Sequence, residues 1–143
     1  MSGGKNVEDL ASGRGGLCSN PDMDFYCDLV LSGMPKLEKL VETENVLAFH
    51  HTRPYWPVHI VVITKRHIGS LATMEPDDVP VVNELLQVAA ELCRKVTGEH
   101  GGCRLSTNSG DYQSTKHLHF YIHHGPRLRN EDGSPVVEQG ADS

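Results

Sequence analysis

Hydrophobic and polar residues alternate along this chain with two different periods, and the switches between them mark its elements. Leu37 to Val41 and Val46 to His50 read as two strands around the polar turn Glu42-Thr43-Glu44-Asn45. His51-Thr52-Arg53-Pro54-Tyr55-Trp56-Pro57 follows, and its two prolines predict a rigid loop in place of regular structure. Val58 to Thr64 is the most β-branched stretch and predicts a further strand. From about Asp77 to Lys95 the period changes. Val79, Val82, Leu85, Leu86, Ala89, Leu92, Cys93 and Val96 recur every three or four positions, as one face of a long helix requires. Asp77 or Asp78 can cap its start, Pro80 fits its first turn, and Gly98 can end it. Cys103 to Thr107 reads as a fourth strand, Asn108-Ser109-Gly110-Asp111 as a turn, and Lys116 to His124 as a closing strand. Upstream, Asp24 to Leu31 predicts a short helical turn, ended by Ser32-Gly33 and Pro35.

The closing strand carries the chemistry. Its run Lys116-His117-Leu118-His119-Phe120-Tyr121-Ile122-His123-His124 holds four of the chain's nine histidines. Side chains alternate across a strand, so His117, His119, Tyr121 and His123 share one face while Leu118, Phe120 and Ile122 share the other. The apolar face can join a core while the opposite face presents a row of imidazoles. Neutral imidazole is a nucleophile, a base and a metal ligand near neutral pH, and clustering disfavours the charged form. His123 is expected at the solvated end of this row, with His124 facing elsewhere.

These elements predict an α+β domain: an antiparallel sheet of about five strands with one long helix and a short N-terminal helix. The 143 residues suit one domain, with a Gly- and Ser-rich leader over 1–20, the folded unit over 21–128 and a polar tail over 129–143. No long apolar run or secretory signal is visible, so the expected location is cytoplasmic, without membrane contact. A formal charge of -6 argues against sequence-independent nucleic-acid binding. The four cysteines, Cys18, Cys27, Cys93 and Cys103, form no CxxC pair and no secreted disulfide framework. Cys93 and Cys103 are expected as buried thiols.

The order Asn108-x-Gly110-x-x-Gln113-Ser114-x-x-His117-φ-His119-φ-Tyr121-φ, with φ apolar, resembles the signature of the histidine triad (HIT) family, in its Hint-like nucleotide-binding branch. The likeness extends to Leu47-Ala48-Phe49-His50-His51-x-x-Pro54 and to His59-Ile60-Val61-Val62-Ile63-x-Lys65-x-His67, covering about residues 24 to 125. The resemblance implies a HIT-like fold and an enzyme acting at a nucleotide α-phosphate, a phosphoramidase-like hydrolase or nucleotidyl transferase. In that chemistry His119 attacks phosphorus to give a nucleotidyl-histidine intermediate, with His117 supporting it. Asn108, Gln113, Ser114 and His59 would hold the phosphate, and Phe49 and His51 would lie towards the nucleoside. No organic cofactor is implied.

Three positions depart from the family pattern. Tyr121 stands where the third triad histidine belongs, and a phenol with a reference pKa near ~10 donates a hydrogen bond but is a poor cation at neutral pH. His51 replaces an aspartate that holds the ribose hydroxyls, and Tyr112 replaces a glycine before Gln113. The positions matching the structural zinc site of bacterial relatives are Asp24, Cys27, His67 and His117, a donor set that zinc accepts. Tyr55 and Trp56 could stack on a planar ligand or cover a dimer surface, and Hint-like relatives are homodimers. Two other readings remain: a nucleotide- or phosphate-binding module without turnover, and a zinc-stabilised structural domain.

Overall fold

The protein is represented by a computed structural model that describes Tyr26 and residues 37–130. Among the described residues five strands and one long helix occur in the order β1 (Lys39–Glu42), β2 (Val46–His50), β3 (Val58–Thr64), α1 (Val79–His100), β4 (Arg104–Ser106) and β5 (His119–His124). The strands form a single antiparallel sheet, β1-β2-β3-β5-β4. The β-branched run forms the central strand β3, buried from His59 to Thr64, as a strand covered on both faces requires. The expected α+β architecture is therefore found. The leader, the tail beyond Asn130, Cys18, and the helical turn at 24–31 apart from Tyr26, which is helical, lie outside the described residues.

Helix α1 covers one sheet face with Val81, Val82, Leu85, Val88, Ala89, Leu92 and Val96, against Val46, Ala48, Ile60, Val62, Leu118, Phe120 and Ile122. It is longer than its periodicity predicts. Gly98 lies inside it, because buried Val96 and the Lys95–Glu99 ion pair carry the helix onward. Gly101 ends it in the left-handed region (φ +94), donating its N–H to the Thr97 carbonyl at 2.8 Å. Val79 and Leu86, expected on the core face, point outward at 43% and 47% exposure. Asp78 caps the 3-10 turn Pro76–Asp78 by accepting the Glu75 N–H at 2.8 Å, and it pairs with Arg66 at 3.2 Å. Cys93 and Cys103 are half-buried thiols, not the fully buried ones expected, because both pack at the margin of the core cluster.

One carboxylate ties the helix to the far side of the sheet. Glu84 accepts hydrogen bonds from the Thr43 hydroxyl, from the Asn45 amide side chain at 2.9 Å and from the Asn45 backbone N–H at 3.1 Å. These contacts hold the β1–β2 turn and keep the Glu84 carboxyl below its ordinary range.

The other sheet face is also covered. Leu37, Leu47, Phe49, Val61, Ile63 and Tyr26 form a second buried cluster, joined by Tyr121. The histidine row therefore looks into this second layer and is largely shielded from water. Among the described residues no helix is long and apolar enough to cross a membrane.

Candidate active site

Strand register builds the site. On the face opposite α1, three cross-strand rows run side by side: Leu47–Ile63–His119, then Phe49–Val61–Tyr121–Ser106, then His59–His123–Arg104. His51 extends the third row, because its backbone N–H donates to the His59 carbonyl at 2.8 Å. His119, Tyr121 and His123 thus occupy one face, as alternation predicts. His117 precedes the strand and is fully buried.

His119 is 6% exposed. Its Nδ1–H donates to the His117 carbonyl at 2.7 Å, which leaves the neutral ring's lone pair on Nε2. Tyr26 lies over it with ring centroids 4.9 Å apart, and Tyr121 stands 5.1 Å away. His117 donates Nε2–H to the Thr64 carbonyl at 2.7 Å, placing its lone pair on Nδ1. The loops before and after it are fixed as well: the Leu118 N–H donates to the Ile68 carbonyl at 2.6 Å, and the Gln113 amide donates to the Gly69 carbonyl at 2.8 Å. The nucleophile candidate sits on a rigid support.

A stack of rings flanks Tyr121. His59 stands perpendicular to it at 4.4 Å, and His51 stacks on His59 at 4.3 Å. The Tyr55 N–H donates to His59 Nδ1 at 3.0 Å, so neutral His59 carries its proton on Nε2. That Nε2–H is buried without a partner among the described residues. Likewise the Arg53 N–H donates to His51 Nδ1 at 3.0 Å and puts the His51 proton on Nε2. Burial pushes His59 far below its ordinary value, with His51 and His123 adding repulsion. Burial, then Arg129 and His119, pushes His51 down to about 4. His51 and His59 are therefore neutral at pH 7.

Most of the expected site residues converge here. His119, Tyr121, His59 and His51 form one connected set of rings, with Phe49 buried beside them. Asn108 and Ser114 lie exposed on either side of the 3-10 turn Gly110–Tyr112, and Tyr112 itself is 83% exposed. Of the expected metal ligands, His67 and His117 are in contact with centroids 5.1 Å apart, while Asp24 and Cys27 lie outside the described residues. Among the described residues alone no cluster of three or more metal-ligating side chains forms.

One expectation needs correction. His123 is not solvated: it is 6% exposed and stacked on Trp56 at 3.7 Å. Trp56 is half-buried, with Arg127 also against its ring at 5.1 Å. The cause is the segment after β5, which returns across the rigid loop. The Leu128 N–H donates to the Tyr55 carbonyl at 2.6 Å, and Arg127 and Arg129 lie on the Tyr55 ring. His124 faces the helix side, as expected, and donates to the Gly102 carbonyl at 2.9 Å. Sequence reasoning missed Tyr26 and these two arginines. Tyr26 carries no periodic signal, and the arginines lie in a stretch read as the domain's end.

Known proteins share this fold. The family model described as "Scavenger mRNA decapping enzyme C-term binding" matches residues 24–131. An uncharacterized HIT-like protein of Chlamydia muridarum is 31% identical over 102 residues, covering 70% of this chain and 80% of that protein. Among solved structures, a HIT family hydrolase from Legionella pneumophila is 26% identical with a TM-score of 0.63, covering 76% of this chain and 98% of the other. A histidine triad protein from Clostridium difficile is 30% identical with a TM-score of 0.61, covering 73% and 92%. With the five-stranded sheet, the single long helix and the His117-x-His119-x-Tyr121 strand, these matches show that the chain belongs to the histidine triad (HIT) family.

Proposed function

We propose that the chain is a hydrolase or nucleotidyl transferase acting at a nucleotide α-phosphate, with His119 as nucleophile. One observation carries this reading: the hydrogen bond from His119 Nδ1–H to the His117 carbonyl directs the imidazole lone pair to Nε2. In the proposed reaction Nε2 forms a bond to phosphorus while the P–N or P–O bond to the leaving group breaks. The departing group keeps the bonding pair and takes a proton from the Tyr121 hydroxyl, which solvent reprotonates. The carbonyl of His117 stabilises the positive charge that develops on the ring. Water then attacks phosphorus, Nε2 leaves, and a nucleoside monophosphate is released. His59 and His51, each with its proton on Nε2, are donors for the phosphate oxygens.

The test follows AMP release from an adenosine phosphoramidate and from an adenosine phosphoanhydride. The wild type should turn over at least one, and His119→Ala should abolish the reaction while keeping the fold. Turnover surviving in His119→Ala removes the assignment.

A second reading is favoured by the Tyr26 ring lying on His119 and by the phenol at 121: a nucleotide-binding module without turnover. Nucleotide binding with no product and no adduct would select it. We further infer structural zinc held by Asp24, Cys27, His67 and His117. The His67–His117 contact and the His117 lone pair on Nδ1 support it, and metal analysis of the purified protein tests it. Association with a second copy is supported by Leu86 on the outer face of α1 and Leu105 on edge strand β4, both 47% exposed. Sedimentation of Leu105→Glu against wild type tests that pairing.

A further inference from the structure

The third row of the sheet face has chemistry of its own. An open hollow of about 430 Å³ lies between Gly102–Arg104 on one side and His123–Pro126 on the other. Among the described residues its lining contains Arg104, His123 and His124 and no carboxylate. Arg104 and His123 are directly opposed across β4 and β5, so both project to the face that carries His119. His123 is buried, and its Nδ1 has no hydrogen-bond partner among the described residues. Its other nitrogen meets the Ser106 hydroxyl at 3.4 Å.

Among the described residues the groups facing His123 are Arg104 on β4, Ser106 on β4, His59 on β3, Trp56 stacked on its ring, and Arg127 beyond β5, and none of these is acidic. A buried polar nitrogen without a partner, beside a hollow walled by guanidinium, is a site for an oxyanion. The hollow also lies in line with the nucleophile. His123 is four residues along the strand from His119, about 13 Å at the usual strand rise.

We propose that this hollow is a second anion site, in which Arg104 and His123 hold a phosphate or similar oxyanion on the distal end of the leaving group, about 13 Å from the attacked phosphorus. The existence of the site stands on the hollow and its lining; its assignment to the leaving group rests on the nucleotidyl-transfer reading. The substrate is thereby two-headed: a nucleoside phosphate at His119 and a second anion at His123. A leaving amine with a cationic tail is disfavoured by the same guanidinium.

Trp56, the chain's single tryptophan, reports on the site directly because it stacks on His123. Burial and the two arginines hold His123 down at about 4, and an anion beside it reverses part of that repulsion. A protonated imidazole quenches a stacked indole. Inorganic phosphate titrated at pH 5.5 should therefore lower Trp56 emission, with chloride at equal ionic strength as control. Arg104→Ala, an exposed change on an edge strand, should weaken that response about tenfold.

A second arm distinguishes the source of the anion. Two adenosine phosphoramidates are compared, one with a neutral alkyl tail and one ending in a phosphonate. The phosphonate compound should compete with phosphate at least about tenfold better than the neutral one, and Arg104→Ala should narrow that ratio. Because competition is read by fluorescence, the result holds even if neither compound turns over. No phosphate-dependent change in Trp56 emission overturns the site. A phosphate response with equal competition by the two compounds overturns the leaving-group assignment.

Discussion

Acidification from pH 7.5 to 4.5 should destabilise this protein through its buried histidines, before its paired carboxylates contribute. His51 and His123 are held at about 4 against an ordinary value of 6.5, chiefly by burial, and His59 is displaced in the same direction. A base whose folded value is depressed stays neutral in the fold while the unfolded chain binds the proton. Its contribution is therefore fully present above 6.5 and is lost as pH falls towards 4. The gap is worth about 3 kcal/mol for either histidine titrating alone. Because charged His51 would repel charged His59, the contributions do not add simply, and about 3 kcal/mol sets the expected scale. For a chain of this size that lowers Tm by about 10 °C. Glu42 and Glu84 are held below 4.5 by their Lys and Thr/Asn partners, so their contributions disappear only at lower pH. Thermal melts followed by circular dichroism across this range, at constant ionic strength, provide the measurement. The His51→Asn/His123→Gln double variant should lose much of the slope. A flat profile between pH 6.5 and 4.5, or an unchanged slope in the double variant, would refute the reasoning.

Three further outcomes follow from individual contacts. Glu84→Ala should cost about 2 kcal/mol in urea denaturation, because it removes a charged acceptor from Thr43 and Asn45 at once. Gly125→Ala should cost about 2 kcal/mol or more: φ is +98, and an added Cβ would lie 2.8 Å from Pro57 Cγ. The same change should shift Trp56 emission, since Pro57 is its neighbour. Tyr121→Phe should lower kcat about tenfold or more with KM little changed, as expected when a donor acting in the transition state is lost.

The strongest sequence signals were those in which local pattern and tertiary burial agree. Val46–His50 and Val58–Thr64 have the bounds predicted for them, because β-branched runs bracketed by turn residues have few alternatives. Alternation in the closing strand is enough to place His119, Tyr121 and His123 on one face, as the strand register has them. What alternation does not encode is what covers that face. Leu37, Phe49 and Tyr26 bury it, and none of them belongs to the pattern of β5. His123 looked solvated for the same reason: its stacking partner, Trp56, comes from a loop sixty-odd positions upstream. The helix end was misplaced because glycine is a stop signal only where φ becomes positive, which occurs at Gly101 and not at Gly98. Leu86 fits the helical period as well as Leu85 does, and only packing against the sheet decides which of them is buried.

The most direct test of the nucleophile assignment is a search for the covalent intermediate itself. The protein would be mixed with an adenosine phosphoramidate, quenched within the first turnovers under conditions that preserve a phosphorus–nitrogen bond, and mapped by tandem mass spectrometry. The account predicts an adenylyl group on His119, acid-labile, and absent from His119→Ala. An adduct on another residue, or product formation with no adduct in a wild type trapped at every time point, would contradict it.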